Sequence, residues 1–271
     1  MTGKSAVNTV GHRLESVGRA AVDFVEEVGH GGALIAESIY WLVLGRREHQ
    51  PVRLAAIVEE IMETGIHAIP IVAMLAATIG VMLAIQGIHT LRIFGAESQV
   101  TVGIAFSMVR EFAPLITGIL VAGRSGSALA ARIGTMKINQ EIDALKVMGI
   151  NPTRFLVVPP LLAMMVVVPS LTLMSNFVGL LAAGLYVRLD LGISLAAYAH
   201  DTLDILHLAD FTHGIGKSAI FAVLIAVIGV VNGSAVRGGA EGVGKATTRS
   251  VVQAISAIIV TDMLFAFLTA R

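Results

Sequence analysis

Long apolar runs with few charged residues alternate along this chain with shorter segments that carry most of its charge. A run of about 20 apolar residues can cross a bilayer as a helix. Five runs meet this condition, at about 66–91, 98–122, 155–187, 217–236 and 251–270. No sustained alternation with a period of two, as a membrane β-barrel requires, is present. The pattern therefore predicts an all-α membrane protein with five transmembrane helices.

The N-terminal segment 1–50 is more mixed than the remainder of the chain, 51–271, and is treated as a separate unit. Apolar residues recur in it at roughly helical spacing: Val17, Ala21, Phe24, Val28, Ile35, Ile39 and Leu42. Such a helix either packs on the body of the protein or lies in the membrane interface, with Tyr40 and Trp41 at headgroup level. The interfacial interpretation is preferred because membrane spans follow.

The third run differs from the others because it is too long for one straight span. It also holds Pro159, Pro160 and Pro169, so a bent or partly interfacial helix is expected. The polar stretch 188–213 that follows carries four Asp residues and predicts short surface helices.

Composition narrows the classes of function. Charged residues make up 14% of the chain, against about 25% in soluble domains, and 55% of residues are hydrophobic. A net charge of zero gives no indication of nucleic-acid binding. The chain has no Cys, and its eight His residues show no metal-ligand spacing, so no disulfide or metal site is expected. No catalytic constellation and no Walker A sequence is present, so any ATP must be bound by another chain.

The distribution of Lys and Arg predicts the orientation in the membrane. Most of them lie in the N-terminal segment and in the connections 123–154 and 237–250. Because positive charge accumulates on the cytoplasmic side, these parts are expected in the cytoplasm. The acidic stretch 188–213 and the C-terminus are then expected in the periplasm. Four acidic residues argue against a signal peptide at the N-terminus: Glu15, Asp23, Glu26 and Glu27.

Arg110 and Glu111 are charged residues inside the second predicted span. A charge at this depth costs a few kcal/mol or more, about 3 kcal/mol on insertion scales, so such residues usually face a bundle interior or a cavity. One interpretation is an internal ion pair with Lys217 or Asp262 that holds helices together. The other is a polar point in a substrate cavity, and the residues alone do not decide between them.

The segment Ile138–Met148 predicts an amphipathic helix in the connection between the second and third spans. Its apolar face consists of Ile138, Ile142, Leu145 and Met148. Gly149 and Pro152 are expected to end it. A short helix on the cytoplasmic side either docks into a groove of a soluble motor protein, as a coupling helix does, or lies flat on the bilayer.

Several motifs resemble the signature of MlaE-type permeases, in order and in spacing, from about residue 50 to the C-terminus. They are Gln86-Gly87, REFAPL at 110–115, AGRSGSAL at 122–129, IGTMK at 133–137, EIDAL at 141–145, MGINP at 148–152, Asn232-Gly233 and ATTRSVV at 246–252. The resemblance implies the membrane subunit of an ABC transporter that moves phospholipids or related lipids between the inner and outer membranes. It implies no enzymatic activity in this chain, with ATP bound and hydrolysed by a partner.

The resemblance also implies a set of partners and an inner-membrane location. Such permeases form a homodimer above two cytoplasmic ABC ATPase subunits, often with a small STAS-domain protein. A hexameric MCE-domain protein lies on the other side of the membrane.

Residue roles carried over from the family fall into two sets. The lipid-contacting set is Gln86, Ile88, Leu91, Arg110 and Glu111. Some family members have Tyr where this chain has Ile88. The ATPase-coupling set is Arg132, Glu141, Asp143, Ala144, Leu145, Met148 and Gly149.

Two other classes of transporter are weighed against this one. A type I ABC importer permease for small solutes has a coupling motif that Asp143-Ala144, Gly149 and Pro159 loosely resemble. The stretch 110–127 and the amphipathic N-terminal segment fit the MlaE type better. An ion-driven secondary transporter is expected to show inverted repeats and paired intramembrane carboxylates, and the sequence indicates neither.

Overall fold

A computed structural model describes residues 22, 25–26, 29–42, 44 and 52–269 of the chain. Nearly all of these described residues are helical, and none is in a strand. Five helical stretches among them are long and apolar enough to cross a membrane: Leu54–Arg92, Glu97–Ile138, Thr153–Leu191, Leu208–Ser234 and Gly239–Thr269. The predicted fold class, an all-α membrane protein with five spans, is confirmed.

The helices are numbered in chain order. They are α1 (29–42), α2 (Leu54–Gly65), α3 (Ile69–Arg92), α4 (Val100–Phe106), α5 (Ala113–Val121), α6 (Ser127–Ile138), α7 (Glu141–Val147), α8 (Val158–Leu191), α9 (Leu195–Ile205), α10 (Leu208–Ser234) and α11 (Gly239–Thr269). Within 52–269, π turns lie at Ser107–Phe112, Ala122–Gly126 and Thr153–Val157. In the same range, 3₁₀ turns lie at Ile66–Ala68 and Glu97–Gln99. The first span is therefore α2 with α3, and the second is α4 to α6.

Helix α8 lies at the centre of the bundle, in contact with α2, α3, α5 and α10. Glycine permits its closest contact, because a Cβ on Gly80 of α3 would collide with the carbonyl oxygen of Gly179 of α8. Without side chains at these two positions the helix backbones can approach closely, as small residues allow in membrane proteins. The main apolar core includes Met164, Phe221 and Ile225 and is built from buried residues of α3, α5, α6, α8, α10 and α11.

The polar segments that flank the apolar runs belong to the helices, so the spans are longer than the sequence predicts. Helix α10 begins at Leu208 and not near 217, because Asp210 accepts a hydrogen bond from the His207 N–H at 2.8 Å and so caps the helix. Helix α11 begins at Gly239, where a pair between Glu241 and Lys245 supports an exposed first turn. The predicted surface helices of 188–213 reduce to α9, since the ends of this stretch extend α8 and α10.

Helix α8 continues through Pro169 without interruption. Its 34 residues extend about 51 Å at about 1.5 Å per residue. The hydrocarbon core of a bilayer is only about 30 Å thick, so α8 projects beyond it.

Helix α1 packs on the body of the protein through one face. Leu34 joins the main core and Ser38 is buried. The Glu37 carboxylate accepts hydrogen bonds from Asn151 Nδ2 at 3.0 Å and from Thr153 Oγ1 at 2.8 Å. The other face exposes Ile39, Tyr40 and Leu42. A location at the membrane interface stays a prediction, and Val17, Ala21, Phe24 and Val28 lie outside the described residues.

Candidate transport site and coupling end

The π turn Ser107–Phe112 interrupts the second span and carries two neighbouring charged residues, Arg110 and Glu111. A π turn inserts an extra residue into the helical pattern and often marks a functional position. Here the two neighbouring side chains reach different residues of one helix, α10.

Arg110 reaches the beginning of α10. Its Nε donates to Asp210 Oδ1 at 2.7 Å, and its Nη2 donates to the same oxygen. The guanidinium also lies 4.9 Å from the centre of the Phe106 ring. Asp210 is only 2% exposed, and its other carboxylate oxygen accepts the His207 N–H. The ion pair therefore ties the π turn to the N-terminal cap of α10.

Glu111 reaches Lys217, about two turns further along α10. Lys217 Nζ lies 2.6 Å from Glu111 Oε2 and 2.7 Å from Asp262 Oδ1 of α11. Lys217 has no exposed surface, whereas the Glu111 side chain is 38% exposed. One buried ammonium group thus joins three helical segments, and in an apolar core such a charge is tolerated only when it is paired.

Gly214 makes this arrangement possible. It lies between Asp210 and Lys217 on the same face of α10, and a Cβ at this position would be 2.5 Å from the carbonyl oxygen of Val109. No side chain fits there without moving the backbone, so glycine lets α10 lie directly against the π turn. Sequence reasoning did not single out this residue.

We name these five ionised residues the charge cluster: Arg110, Glu111, Asp210, Lys217 and Asp262. It holds two cations and three carboxylates, so one negative charge is in excess. Its buried members, Asp210 and Lys217, hold the helices together. Its most exposed member, Arg110, keeps N–H groups that Asp210 does not use, and a guanidinium of this kind can bind a phosphate.

Sequence reasoning identified part of the charge cluster. Of the two partners proposed for Arg110 and Glu111, Lys217 pairs with Glu111. Asp262 pairs with Lys217 and not with either residue of the second span. The sequence does not indicate Asp210, because this residue lies in a polar stretch that predicts surface helices, whereas in the structure it belongs to the first turn of α10. The sequence also gives no indication of paired intramembrane carboxylates. In the structure, Glu111 and Asp262 form such a pair, because both contact the Lys217 ammonium group. The only available signal was that Asp210 and Lys217 are seven residues apart, and so on one helical face.

The residues of the predicted lipid-contacting set divide into two groups. Arg110 and Glu111 belong to the charge cluster. Ile88 is buried in a separate apolar cluster that includes Val100 and Tyr198, and Leu91 packs against it. Burial raises the pKa of Tyr198 to about 12. Gln86 is exposed on the surface of α3.

At the other end of the bundle, the predicted helix Ile138–Met148 is broken into two. Helix α6 ends at Ile138, and α7 begins only at Glu141. Gln140 between them has a positive φ of 58°, which ends the first helix, and hydrophobic periodicity does not reveal such a turn. Gly149, with a φ of 74°, ends the helical segment where the sequence predicts.

The apolar residues of α7 face in two directions. Leu145 is buried, and Ile142 packs against the main core. Val147 and Met148 are 89% and 65% exposed. The exposed apolar surface is therefore Val147 with Met148, and the prediction of a single face that contains both Leu145 and Met148 is wrong.

Most other residues of the predicted coupling set have contacts within this chain. Arg132 binds the Glu60 carboxylate of α2 through both Nη atoms, at 2.9 and 3.3 Å. Glu141 accepts a hydrogen bond from Asn139, and Asp143 pairs with Lys146. Ala144 is exposed. Arg132 thus faces α2 of its own chain.

Within the part of the chain that the structure describes, no group of His, Asp and Glu is arranged to hold a metal ion.

Comparison with known proteins identifies the family. A family model described as "Permease MlaE" matches residues 57–268. A probable ABC transporter permease protein of Rickettsia typhi is 31% identical over 254 residues, which cover 92% of this chain and 96% of that protein. The intermembrane phospholipid transport system permease protein MlaE of Haemophilus influenzae is 28% identical over 93% of this chain and 95% of that protein. The chloroplastic protein TRIGALACTOSYLDIACYLGLYCEROL 1 of Arabidopsis thaliana is 32% identical over 76% of this chain and 59% of that protein. A multi-span helical bundle with this match over most of its length belongs to the MlaE family of ABC transporter permeases.

Proposed function

We propose that this chain is the membrane subunit of an ABC transporter that moves phospholipids, or related lipids, between an inner and an outer membrane. The observation that carries this proposal is the similarity, over nearly the whole of both chains, to a Haemophilus permease named for intermembrane phospholipid transport. The family match also favours this class over a type I importer or an ion-driven transporter.

The lipid headgroup contacts the exposed part of the charge cluster in this proposal. Arg110 has donors left for a phosphate, and Glu111 is partly exposed beside it. Acyl chains contact apolar residues at the end of α3, with Ile88 and Leu91 as the candidates and Gln86 at the edge. Since Ile88 is buried within one chain, its contact with lipid requires α3 to move relative to α4 and α9.

The motor is a separate ATPase that docks on α7. Val147 and Met148 are exposed apolar anchors at the end of a short helix, which suits the groove of a soluble partner. ATP-driven closure of two ATPase subunits pushes on two copies of α7, and the two permeases then squeeze a cavity that opens toward an MCE-domain partner. A homodimer, a hexameric MCE protein, a STAS-domain subunit and an inner-membrane location with a cytoplasmic N-terminus belong to this proposal.

Mass spectrometry of lipids that co-purify with the complex tests the substrate class. We expect phospholipid to be enriched over the detergent-solubilised membrane. Glu111→Arg should reduce that enrichment, because it removes the carboxylate partner of buried Lys217 and puts a third cation into the charge cluster, which displaces the groups around the headgroup site. Glu111→Gln is the matched variant, since it keeps a hydrogen-bond acceptor for Lys217. An assembled Glu111→Arg complex with unchanged lipid content and transport would contradict the assigned headgroup site.

A further inference from the structure

The π turn Ser107–Phe112 offers a ligand two side chains of opposite charge. The side chain of Arg110 is 47% exposed and that of Glu111 is 38% exposed, whereas their partners on α10, Asp210 and Lys217, are buried. A ligand that reaches this part of the bundle therefore meets the arginine and the glutamate, and not the two residues that hold them in place.

Each of the two exposed groups keeps hydrogen-bonding capacity that its partner does not use. Asp210 accepts from Nε and Nη2 of Arg110, which leaves the N–H groups of Nη1 for an anion. Lys217 donates to Oε2 of Glu111, which leaves Oε1 to accept from a cation. The turn can therefore bind a negative and a positive group of one ligand at the same time.

The spacing of the two groups is set by α10. Their partners are seven residues apart, which corresponds to about 10 Å along the helix axis, so Arg110 and Glu111 are drawn apart and each pairs with α10 instead of with the other. A phosphate and an ammonium joined by two carbons, with a hydrogen bond of about 3 Å at each end, can bridge a gap of this order. The geometry therefore fits a headgroup that carries both charges.

The charge balance of the cluster favours the same headgroup. Arg110 and Lys217 supply two positive charges against three carboxylates, so the excess is one negative charge. A headgroup with a phosphate and no ammonium would raise this excess to two among apolar helices, where unpaired charge is costly. A headgroup that also carries an ammonium leaves the excess at one and places its positive charge beside Glu111.

We infer that this turn selects phospholipids whose headgroup carries a primary ammonium, with Arg110 bound to the phosphate and Glu111 to the ammonium. The inference rests on the proposed function and narrows its substrate class. A primary ammonium has three N–H donors for Oε1 of Glu111, whereas a trimethylated ammonium has none. Phosphatidylethanolamine has the required headgroup, phosphatidylcholine carries the methylated form, and phosphatidylglycerol has no ammonium.

Competition between these three lipids in one sample tests the selection. The complete transporter complex is reconstituted into vesicles that contain equal amounts of the three with the same acyl chains, and ATP-dependent transfer to acceptor vesicles is followed by mass spectrometry. Phosphatidylethanolamine should move about tenfold faster than either competitor, because a hydrogen bond to a charged group contributes discrimination of that order. A competitor that moves as fast would overturn the selection and leave the proposed function intact. ATP hydrolysis without transfer of any of the three would refute both.

Glu111→Gln should abolish the preference, because the amide oxygen stays on Lys217 and the amide NH₂ then faces the headgroup ammonium. Asp262→Asn is the matched control, since it removes a carboxylate from the same lysine and changes the net charge equally, but leaves Glu111 in place. It should keep the preference even if it lowers the overall rate. A ratio within one sample does not depend on how much complex assembles, so a merely structural role of Glu111 would leave it unchanged.

Two outcomes would overturn the role of Glu111. One is a preference that survives in Glu111→Gln, and the other is a preference lost equally in Asp262→Asn, which would assign the effect to net charge. If Glu111→Gln does not assemble, the triple variant of Lys217→Met with Glu111→Gln and Asp262→Asn takes its place, because it removes the three charges together. It should also move the three lipids at equal rates.

Discussion

Lys217 shows how one side chain can determine the packing of a membrane bundle. It has no exposed surface, and its ammonium group is shared by a carboxylate of the π turn and one of α11. Burying an ammonium ion in an apolar core costs several kcal/mol unless good partners offset it. The two carboxylates and the lysine therefore stabilise the bundle only as a set.

Lys217→Met keeps the length and apolar stem of the side chain and removes the charge. Two carboxylates then remain without their cation, and we expect the free energy of unfolding in mixed detergent micelles to fall by about 3–5 kcal/mol. Lys245→Met is the control, because Lys245 makes an exposed pair with Glu241, and its loss should cost at most about 1 kcal/mol. Adding Glu111→Gln and Asp262→Asn to Lys217→Met should recover most of the stability. Equal losses in the two methionine variants would contradict this account.

The residue-scale chemistry was only partly predictable from sequence. A charge inside an apolar run is visible, so Arg110, Glu111 and Asp262 were recognised as unusual. Their partners depend on which helices meet, and Asp210 was hidden in a polar stretch whose helical state comes from its own cap. The spacing of Asp210, Gly214 and Lys217 places them on one face of α10. Only the contact between α10 and the π turn shows that this face binds Arg110 and Glu111.

At the scale of elements, the sequence predicts the apolar middle of each span better than its ends. Hydrophobicity decides which residues lie in the membrane, whereas caps and ion pairs decide where a helix begins, as at α10 and α11. The break at Asn139 and Gln140 shows a second limit, because a single positive φ separates two helices without changing the apolar pattern.

Gly214→Ala tests the close contact between α10 and the π turn. The new Cβ would collide with the carbonyl oxygen of Val109, which is part of the backbone and cannot rotate away, so α10 must shift. We expect the free energy of unfolding to fall by about 1–3 kcal/mol. Gly216→Ala in the same helix is the control, because a Cβ there has open space around it. Because alanine has a higher helix propensity than glycine, Gly216→Ala should leave the free energy of unfolding unchanged or raise it by up to about 1 kcal/mol. The contact would be disproved if both alanine variants unfolded at the same detergent concentration.

The exposed surface of α7 yields a second prediction at this scale. The pair Val147→Asp and Met148→Asp should abolish co-purification with the ATPase and leave the fold intact, since both side chains are exposed. Leu145→Asp should instead destabilise the permease itself, because it places a charge at a buried position. Affinity capture of the ATPase and thermal unfolding of the purified permease separate the two effects. Undiminished capture with the double variant would favour a helix that lies flat on the bilayer.

At the scale of the whole molecule, the bundle is a packed centre with apolar outer faces. The most apolar stretch of α11 has only 11% of its residues buried, against 61% for the span that contains α8. The outward residues of α11 are large and apolar: Val252, Ile259, Val260, Met263, Leu264, Phe267 and Leu268. Such a surface suits lipid or, in the proposed homodimer, a second copy of the chain.

The proposed function requires that phospholipid moves at the expense of ATP hydrolysed by another chain. The most direct test is transfer of labelled phospholipid between membranes by the reconstituted complex, followed with ATP and with a non-hydrolysable analogue. We predict transfer that requires ATP hydrolysis and falls to background with the analogue. Steady ATP hydrolysis by the complex, with no phospholipid transfer above the level without ATP, would contradict the proposed function.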